Sequence, residues 1–276
     1  LYAEQIREIT FHQVSFRYPG KADTGSSTVR EGDVVAANGA DTDIAEHKRD
    51  VLQNVSFSIK KSDFVAVTGT SGCGKSTMLK LLMGIYRPQT GTISVILNNG
   101  TSIAIENMNR LFAYVPQGNF LMGGSIRDVI TFGKSKVDGT ADCPKTDSVD
   151  RNHADRNDMD PDEKLKRAVH LACADFVYDL PMQLDTILGE KGAGLSEGQM
   201  QRIAIARALY ADRPVLILDE STSALDQQTE RRLLDNLKQL TDKTVLFVSH
   251  RLPALEICSK QLHFEEGITL DHSFRP

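Results

Sequence analysis

The sequence lacks the features of a membrane-spanning or disulfide-stabilised chain. No apolar run in its 276 residues approaches the roughly 20 residues that cross a bilayer as a helix. The cysteines show neither a C-x-x-C spacing nor any clustering, which favours reduced thiols in a cytosolic setting. The chain begins at Leu1 without a signal-peptide pattern, as expected for a segment of a longer polypeptide. Any membrane role would therefore come from a partner or from residues beyond this segment.

The sequence also lacks an excess of positive charge. Its net charge is −5, and acidic residues concentrate in two polar segments, 21–50 and 134–163. No basic patch typical of a nucleic-acid binder is present, so we expect no nucleic-acid partner. Both segments lose hydrophobic periodicity, and their composition cannot bury enough apolar surface to order itself. We therefore predict two mobile insertions, 21–50 and 134–163.

The strongest local signal is a full match to G-x-x-x-x-G-K-[ST] at residues 69–77. The matching residues are Gly69, Thr70, Ser71, Gly72, Cys73, Gly74, Lys75, Ser76 and Thr77. The apolar run 64–67 predicts a buried strand before the loop, and 78–83 predicts a helix after it. Converging backbone N–H groups and the helix N-terminus would bind phosphates. Lys75 would reach the β- and γ-phosphates and Ser76 would reach Mg²⁺. An ordinary glycine-rich turn is the competing interpretation.

Apolar strands alternate with helices along the rest of the chain, which predicts an α/β fold with a parallel sheet. The predicted strands cover 9–18, 93–97, 103–105, 111–115, 215–218 and 245–248. The predicted helices cover 125–132, 164–178, 200–210 and 227–240. Asn98-Asn99-Gly100 between two apolar runs predicts a β-hairpin. Because ligands of such folds bind at the carboxyl ends of the strands, we expect phosphate chemistry there.

Two carboxylates, Asp219 and Glu220, follow the four aliphatic residues 215–218. On a fold with a phosphate loop the aspartate would hold Mg²⁺, directly or through water. The adjacent glutamate would orient and deprotonate an attacking water. The alternative interpretation is a strand that simply ends in polar residues.

The segment from Ser196 to Gln199 has the spacing of a helix capping box. An ordinary helix start is therefore one interpretation. The other is a second anion site, formed by Ser196, Gly198 and the helix N-terminus. A partner chain would have to supply the phosphate for that site.

These motifs together resemble the nucleotide-binding domain of an exporter-type ATP-binding cassette (ABC) transporter. Residues 195–199, Leu-Ser-Glu-Gly-Gln, are similar to the family signature L-S-G-G-Q, with Glu197 replacing its first glycine. Segments 21–50 and 134–163 are longer than the loops that the family usually has there. Apart from these two segments, the resemblance covers nearly the whole chain.

Four further residues match positions of that family. Gln117, after Tyr-Val-Pro, matches the Q-loop, and Asp226 in Ser-Ala-Leu-Asp matches the D-loop. His250 matches the switch histidine, and Tyr18 stands where the family has an aromatic residue that stacks on adenine. Three of the four have an ordinary structural alternative: Tyr18 as a strand-core residue, Gln117 as a plain loop residue and His250 as a histidine that merely ends a strand.

The resemblance implies a P-loop NTPase core with a RecA-like parallel sheet, an antiparallel β subdomain and a small α-helical subdomain. We expect the ATP-binding core in residues 1–116 and 201–276. The helical subdomain, which includes the signature motif, is expected in residues 117–200.

It also implies a head-to-tail homodimer or heterodimer that closes on two ATP molecules with Mg²⁺. Each ATP would lie between one subunit's phosphate loop and the other subunit's signature and D-loop residues, which are Ser196, Gly198, Gln199 and Asp226. The residues with catalytic roles would be Glu220 as the general base, His250, Lys75 and Gln117. The metal would be held by Ser76, Gln117 and Asp219.

Transmembrane domains, in the same longer chain or in a separate subunit, are the second implied partner. They would place this domain at the cytoplasmic face of a membrane, where ATP-driven closure and opening would power export. Peptide, lipid and drug export are all compatible with these motifs.

Two other classes of function compete with export. One is an ABC-type ATPase that acts on nucleic acid or ribosomes, whose usual paired cassettes, coiled-coil insertions or basic arms are missing from this sequence. Salt-dependent binding of DNA or RNA would favour it. The other is a regulatory module that binds nucleotide without turnover, and the presence of Glu220 and His250 argues against it.

Overall fold

The computed structural model describes residues 5–18, 50–118, 123–132, 159–189, 194–249, 251–266 and 268–273. Most of the predicted insertions 21–50 and 134–163, together with His250, lie outside these ranges. The chain divides into two compact units. The first comprises residues 1–110 and 259–276, and the second comprises residues 111–258. The expected subdomain boundaries at 117 and 200 stay a prediction.

The described residues form strands and helices that alternate along much of the chain. The strands are β1 (Ile6–Phe16), β2 (Leu52–Lys60), β3 (Phe64–Gly69), β4 (Thr90–Leu97), β5 (Ser102–Ala104), β6 (Phe112–Val115), β7 (Gly124–Ser125), β8 (Ile187–Leu188), β9 (Val215–Asp219), β10 (Thr244–Val248), β11 (Lys260–Glu265) and β12 (Ile268–Ser273). The α-helices are α1 (Lys75–Leu82), α2 (Ile126–Thr131), α3 (Pro161–Leu171), α4 (Glu197–Tyr210), α5 (Gln227–Lys238) and α6 (Leu252–Glu256). This mixed α/β organisation confirms the predicted fold class.

The first unit contains an antiparallel sheet with the strand order β2-β1-β4-β5. Alternate residues of β2 are buried from Val55 to Ile59, as the period of a half-buried strand requires. Phe11 and Phe57 are directly opposite each other in β1 and β2, and their rings stack with centroids 4.3 Å apart. Strands β4 and β5 pair across Asn98-Asn99-Gly100, which confirms the predicted hairpin.

The same unit holds the strand that leads into the phosphate loop. Strand β3 runs parallel to β11, and β11 pairs with β12 in the antiparallel sense. Val65 and Val67 of β3 are fully buried, which anchors the strand in the core. Helix α1 begins at Lys75, three residues before the predicted apolar run, because the last loop residues already have helical conformation.

The second unit contains three parallel strands in the order β10-β9-β6. All five residues of β9 and all five of β10 are buried. Parallel strands covered on both faces show such uninterrupted apolar runs. Helices α2, α3, α4, α5 and α6 belong to the same unit.

The predicted helix 164–178 is wrong in its C-terminal half. Helix α3 starts earlier, at Pro161, and ends at Leu171, and Cys173 adopts a left-handed conformation with φ of 53°. The side-chain amide of Asn236 donates hydrogen bonds to the carbonyl oxygens of His170 and Leu171. These bonds satisfy carbonyl groups that the helix end leaves open, so the helix can stop there.

None of the helices in the described parts of the chain is long and apolar enough to cross a bilayer.

The core of the second unit yields a stability prediction. Ile217 of β9 is fully buried, whereas Ile187 of β8 is 66% exposed. Ile217→Ala should lower the free energy of unfolding by about 2–5 kcal/mol because it leaves a cavity among packed side chains. Ile187→Ala is the matched control and should change it by less than about 0.5 kcal/mol. Urea denaturation of the two variants measures both values, and equal losses would contradict the assigned core.

Candidate functional site

The phosphate loop connects β3 to α1, and two of its glycines are required by close approach of other residues. Gly69 has φ of 135°, and a Cβ atom there would overlap the carbonyl oxygen of Phe264. Gly74 has φ of 107°, and a Cβ atom there would lie 2.8 Å from Cδ2 of Leu52. Both the backbone conformation and the available space therefore exclude larger side chains at these positions.

Lys75 lies inside this loop with only 8% of its surface exposed. Its ammonium group donates hydrogen bonds to the carbonyl oxygens of Gly69, at 2.5 Å, and Thr70, at 2.8 Å. A buried cation needs such oxygen partners because it has lost its hydration. The neighbouring Ser76 is exposed. In this structure the ammonium group of Lys75, which the sequence predicts to bind phosphate, therefore donates to backbone carbonyl oxygens of the loop.

Tyr18 lies beyond the end of strand β1 and is hydrogen-bonded to the phosphate-loop helix α1. Strand β1 ends at Phe16, two residues before the end of the predicted strand. The hydroxyl groups of Tyr18 and Thr77 are hydrogen-bonded at 2.9 Å. Edge-to-face contacts with Phe16 and Tyr86, at centroid distances of 5.1 and 5.5 Å, fix the plane of the Tyr18 ring. The ring remains 38% exposed, so one part of it is accessible to a ligand.

Asp219, the last residue of β9, has its carboxylate nearly buried in the second unit. The hydroxyl group of Tyr114 on β6 donates a hydrogen bond to Oδ2 of Asp219 at 2.9 Å. Burial, the negative charge of Asp219 and this hydrogen bond all raise the pKa of Tyr114 far above its usual value of about 10. Tyr114 therefore stays a proton donor to the carboxylate over the whole physiological pH range.

Glu220 follows directly and turns the chain out of the strand. Its φ of 48° is in the left-handed region, and its backbone N–H donates to the carbonyl oxygen of Val248. The side-chain amide of Gln117 donates a hydrogen bond to Oε2 of Glu220 at 2.6 Å. Two residues 103 positions apart in the sequence, both predicted to be catalytic, are thus in direct contact.

The signature helix α4 begins with a capping box. The hydroxyl oxygen of Ser196 accepts from the backbone N–H of Gln199, whose side-chain oxygen accepts from the backbone N–H of Ser196. The helix-start interpretation is therefore confirmed, and the anion-site interpretation stays a prediction. Gly198 approaches another loop closely, because a Cβ atom there would lie 2.8 Å from the carbonyl oxygen of Ala224.

Asp226 caps the N-terminus of α5. Its carboxylate oxygen accepts hydrogen bonds from the backbone N–H groups of Gln228, at 3.1 Å, and Thr229, at 2.9 Å. Hydrogen bonds from the side chain and backbone of Thr229 hold the pKa of Asp226 below its usual value. The charged form is therefore the one that caps the helix.

Sequence reasoning missed three residues that contact the predicted site residues or the loop beside them. Tyr114 supports Asp219, and Gln201 and Arg251 hold the loop that follows Glu220. For the contact made by Arg251, the sequence does contain a signal. Glu230 lies on the apolar face of α5, and a buried carboxylate at such a position predicts a cationic partner, which is Arg251.

The predicted site residues fall into two groups. The phosphate loop and Tyr18 belong to the first unit, whereas Gln117, Asp219 and the signature helix belong to the second. His250 lies outside the described residues. Where the chain is described, no three His, Cys, Asp or Glu side chains group together as a metal-binding cluster.

Comparison with known proteins shows the family to which the chain belongs. The family model described as ABC transporter matches residues 52–223, which cover the phosphate loop, the signature motif and both carboxylates. The chain therefore belongs to the ABC transporter family and corresponds to the ATP-binding domain of its exporters. The predicted P-loop NTPase fold, ATP-binding function and ATPase class are confirmed.

Individual relatives include exporters of different names. The chain is 37% identical over 222 residues to the lactococcin-G-processing and transport ATP-binding protein LagD of Lactococcus lactis, covering 80% of this chain and 28% of that protein. It is 36% identical over 222 residues to an ATP-dependent lipid A-core flippase of Coxiella burnetii, covering 80% and 34% of the two chains.

Among solved structures, a bacterial Atm1-family ABC exporter with ATP bound is similar, with a TM-score of 0.69 and 28% identity. The match covers 97% of this chain and 39% of that one. This chain thus spans about a third of the length of the relatives that it matches.

Tyr114 gives a prediction about pH dependence. Its folded-state pKa lies above the unfolded value of about 10, so the folded state keeps a proton that the unfolded state loses. The stability that this group contributes is complete below about pH 10 and is lost as the pH rises above it. Between about pH 9 and about pH 11, wild type should lose more free energy of unfolding than Tyr114→Phe. Urea denaturation along this range measures the difference, and parallel curves would contradict the prediction.

Proposed function

We propose that this domain hydrolyses ATP with Mg²⁺ and that the hydrolysis drives export by a longer protein or assembly. The observation that carries the proposal is the contact between Gln117 and Glu220 beside Asp219. It holds a carboxylate at the end of a buried parallel strand, where ligands of such folds bind. The family membership identifies the nucleotide as ATP.

The phosphate loop, residues 69–77, would bind the phosphates of ATP. Its backbone N–H groups and the N-terminus of α1 attract anions. The ammonium group of Lys75 would exchange its bonds to the carbonyl oxygens of Gly69 and Thr70 for bonds to the β- and γ-phosphates. Tyr18, with its ring held by Thr77 and Tyr86, would stack on adenine.

The chain offers suitable groups for Mg²⁺. Mg²⁺ prefers oxygen ligands and is usually bound by one or two carboxylates together with substrate phosphates. The carboxylate of Asp219, the side-chain oxygen of Gln117 and the hydroxyl group of Ser76 supply such oxygens. Mg²⁺ bound with ATP neutralises charge on the β- and γ-phosphates.

Glu220 would act as the general base. Its carboxylate would take the proton from a water molecule whose oxygen attacks the γ-phosphorus, while the bond to ADP breaks. The hydrogen bond from Gln117 orients this carboxylate before substrate arrives. His250 would contact the γ-phosphate.

A second ATP-binding domain would complete each site. Ser196, Gly198 and Gln199 at the N-terminus of α4, together with Asp226, would face the ATP held by the partner's phosphate loop. The helix N-terminus favours negative charge, which gives the capping box a second use at a dimer interface. Dimer closure would exclude bulk water and surround the γ-phosphate and the attacking water, and hydrolysis would let the dimer open.

Membrane-spanning domains would be the second partner. A glucan exporter of Rhizobium etli that is 36% identical over 220 residues is named an ATP-binding/permease protein, and this chain spans 33% of it. We propose that transmembrane domains occupy the same longer chain or a separate subunit. This domain would then lie at the cytoplasmic face of the membrane.

Glu220→Gln tests the general base. The variant should bind ATP as wild type does but lose turnover by about 10²- to 10⁴-fold, the usual contribution of general base catalysis. Without hydrolysis the ATP-bound dimer should live longer, as size-exclusion chromatography with ATP would show. Lys75→Ala is the control that should lose both binding and turnover. Turnover like that of wild type in Glu220→Gln would remove Glu220 as the base.

The dimer itself is tested by the dependence of the ATPase rate on protein concentration. A rate per subunit that rises with concentration, and that Lys75→Ala abolishes, would support two self-complementary half-sites. A rate independent of concentration over a range in which sedimentation shows only monomer would contradict the shared site.

A further inference from the structure

Residues 220–226, named the connecting loop, begin with Glu220 and lie against helix α4. Glu220 and the N-terminus of α4 are used by the proposed function on different ATP molecules. Glu220 acts on the ATP of its own subunit, and Ser196 and Gly198 of α4 act on that of the partner. We propose that Gln201 is a positioning residue that fastens the connecting loop to α4, so that these groups move together. This inference rests on the proposed function.

The first support is the bonding of Gln201 itself. Its side chain is only 3% exposed, and both ends of its amide are used on the connecting loop. The amide nitrogen donates to the hydroxyl oxygen of Ser223 at 3.2 Å. The amide oxygen accepts from the backbone N–H of Ala224 at 3.1 Å. A buried amide that loses such partners is costly, so these bonds resist separation of helix and loop.

The second support comes from Gly198, one helical turn before Gln201. Residues three apart lie on the same face of a helix. A Cβ atom on Gly198 would lie 2.8 Å from the carbonyl oxygen of Ala224. One face of α4 therefore lies against the connecting loop at two positions one helical turn apart, and only glycine fits at the first of them.

The opposite side of the connecting loop is held by Arg251. Its guanidinium group donates to the carbonyl oxygens of Thr222, at 2.9 Å, and Leu225, at 3.3 Å. The same nitrogen pairs with the buried carboxylate of Glu230 at 2.7 Å, which also accepts from the hydroxyl group of Thr222. Residues 222–225 are thus bonded both to α4 and to the ion pair between Arg251 and the buried carboxylate of Glu230.

Internal hydrogen bonds extend this connection to the base. The backbone N–H of Ser223 donates to the carbonyl oxygen of Glu220 at 3.2 Å. The backbone N–H of Leu225 donates to the carbonyl oxygen of Thr222 at 3.1 Å. A displacement of α4 is therefore transmitted through Gln201 and Ser223 to the backbone of Glu220. Without Gln201, closure on the partner's ATP would no longer set the position of the base.

The test compares Gln201→Met with Asn236→Ala in the full chain. Met keeps the volume and the helix propensity of Gln but makes no comparable hydrogen bonds. Asn236→Ala is the matched control, because it removes an amide that bonds to the carbonyl oxygens of His170 and Leu171 and not to the connecting loop. Steady-state kinetics with ATP and thermal denaturation are measured for both variants.

We expect Gln201→Met to lower kcat by about five- to tenfold, the effect of losing one or two orienting hydrogen bonds. Its dissociation constant for ATP should stay within about twofold of wild type, because the phosphate loop is untouched. Asn236→Ala should keep the wild-type kcat even if its Tm falls as far as that of Gln201→Met. The same kcat in both variants would overturn the inference.

Ser223→Ala keeps the proposal testable if Gln201→Met does not fold. Ser223 is exposed and is bonded by its hydroxyl group to Gln201, so its substitution should lower kcat by about two- to threefold with little change in Tm. In the double variant the two effects should not add, because Gln201→Met already removes the bond that Ser223→Ala removes. Additive effects, or a wild-type kcat for Ser223→Ala, would reject the connection.

The outcomes separate this inference from the proposed function. Failure of wild type to hydrolyse ATP, together with failure of Glu220→Gln to dimerise with ATP, would overturn both. Wild-type turnover combined with equal kcat values for Gln201→Met and Asn236→Ala would overturn the role of Gln201 alone.

Discussion

The parallel pairing of β9 with β6 and β10 decides where the chemical groups of the second unit lie. Val115 at the end of β6 is opposite Leu218, and Val248 at the end of β10 is opposite Asp219. The carboxyl ends of all three strands therefore meet at one edge. This register brings Gln117, two residues after β6, to Glu220, the first residue after β9.

Pairing of buried polar groups is the second constraint, and it makes the surroundings of this edge specific. Asp219, Glu230 and Gln201 are nearly buried, and each is hydrogen-bonded. In a low-dielectric interior an unpaired group is costly, so each partner must occupy one position. Such networks contribute little net stability compared with an apolar core, but they hold loops in a defined arrangement.

The conformation of the phosphate loop depends on steric fit at its glycines, and the ammonium group of Lys75 is hydrogen-bonded to carbonyl oxygens of the same loop. Glycine at positions 69 and 74 satisfies close contacts that any side chain would break. Lys75 is already buried and bonded within the loop. In the proposed function, phosphate binding would exchange these partners rather than fold the loop, which would keep the ordering cost of binding low.

The sequence by itself determined the phosphate loop, the α/β class, the carboxylates at the end of β9 and the family, because each depends on short spacings or on local periodicity. Only the tertiary structure decided which distant groups meet. Tyr114 reaches Asp219 across 105 positions, and Gln201 reaches Ser223 from another element. The open carbonyl groups at the end of helix α3 are bonded by Asn236, which lies 65 residues beyond Leu171. These contacts follow from the packing of separate segments, on which no local pattern carries information.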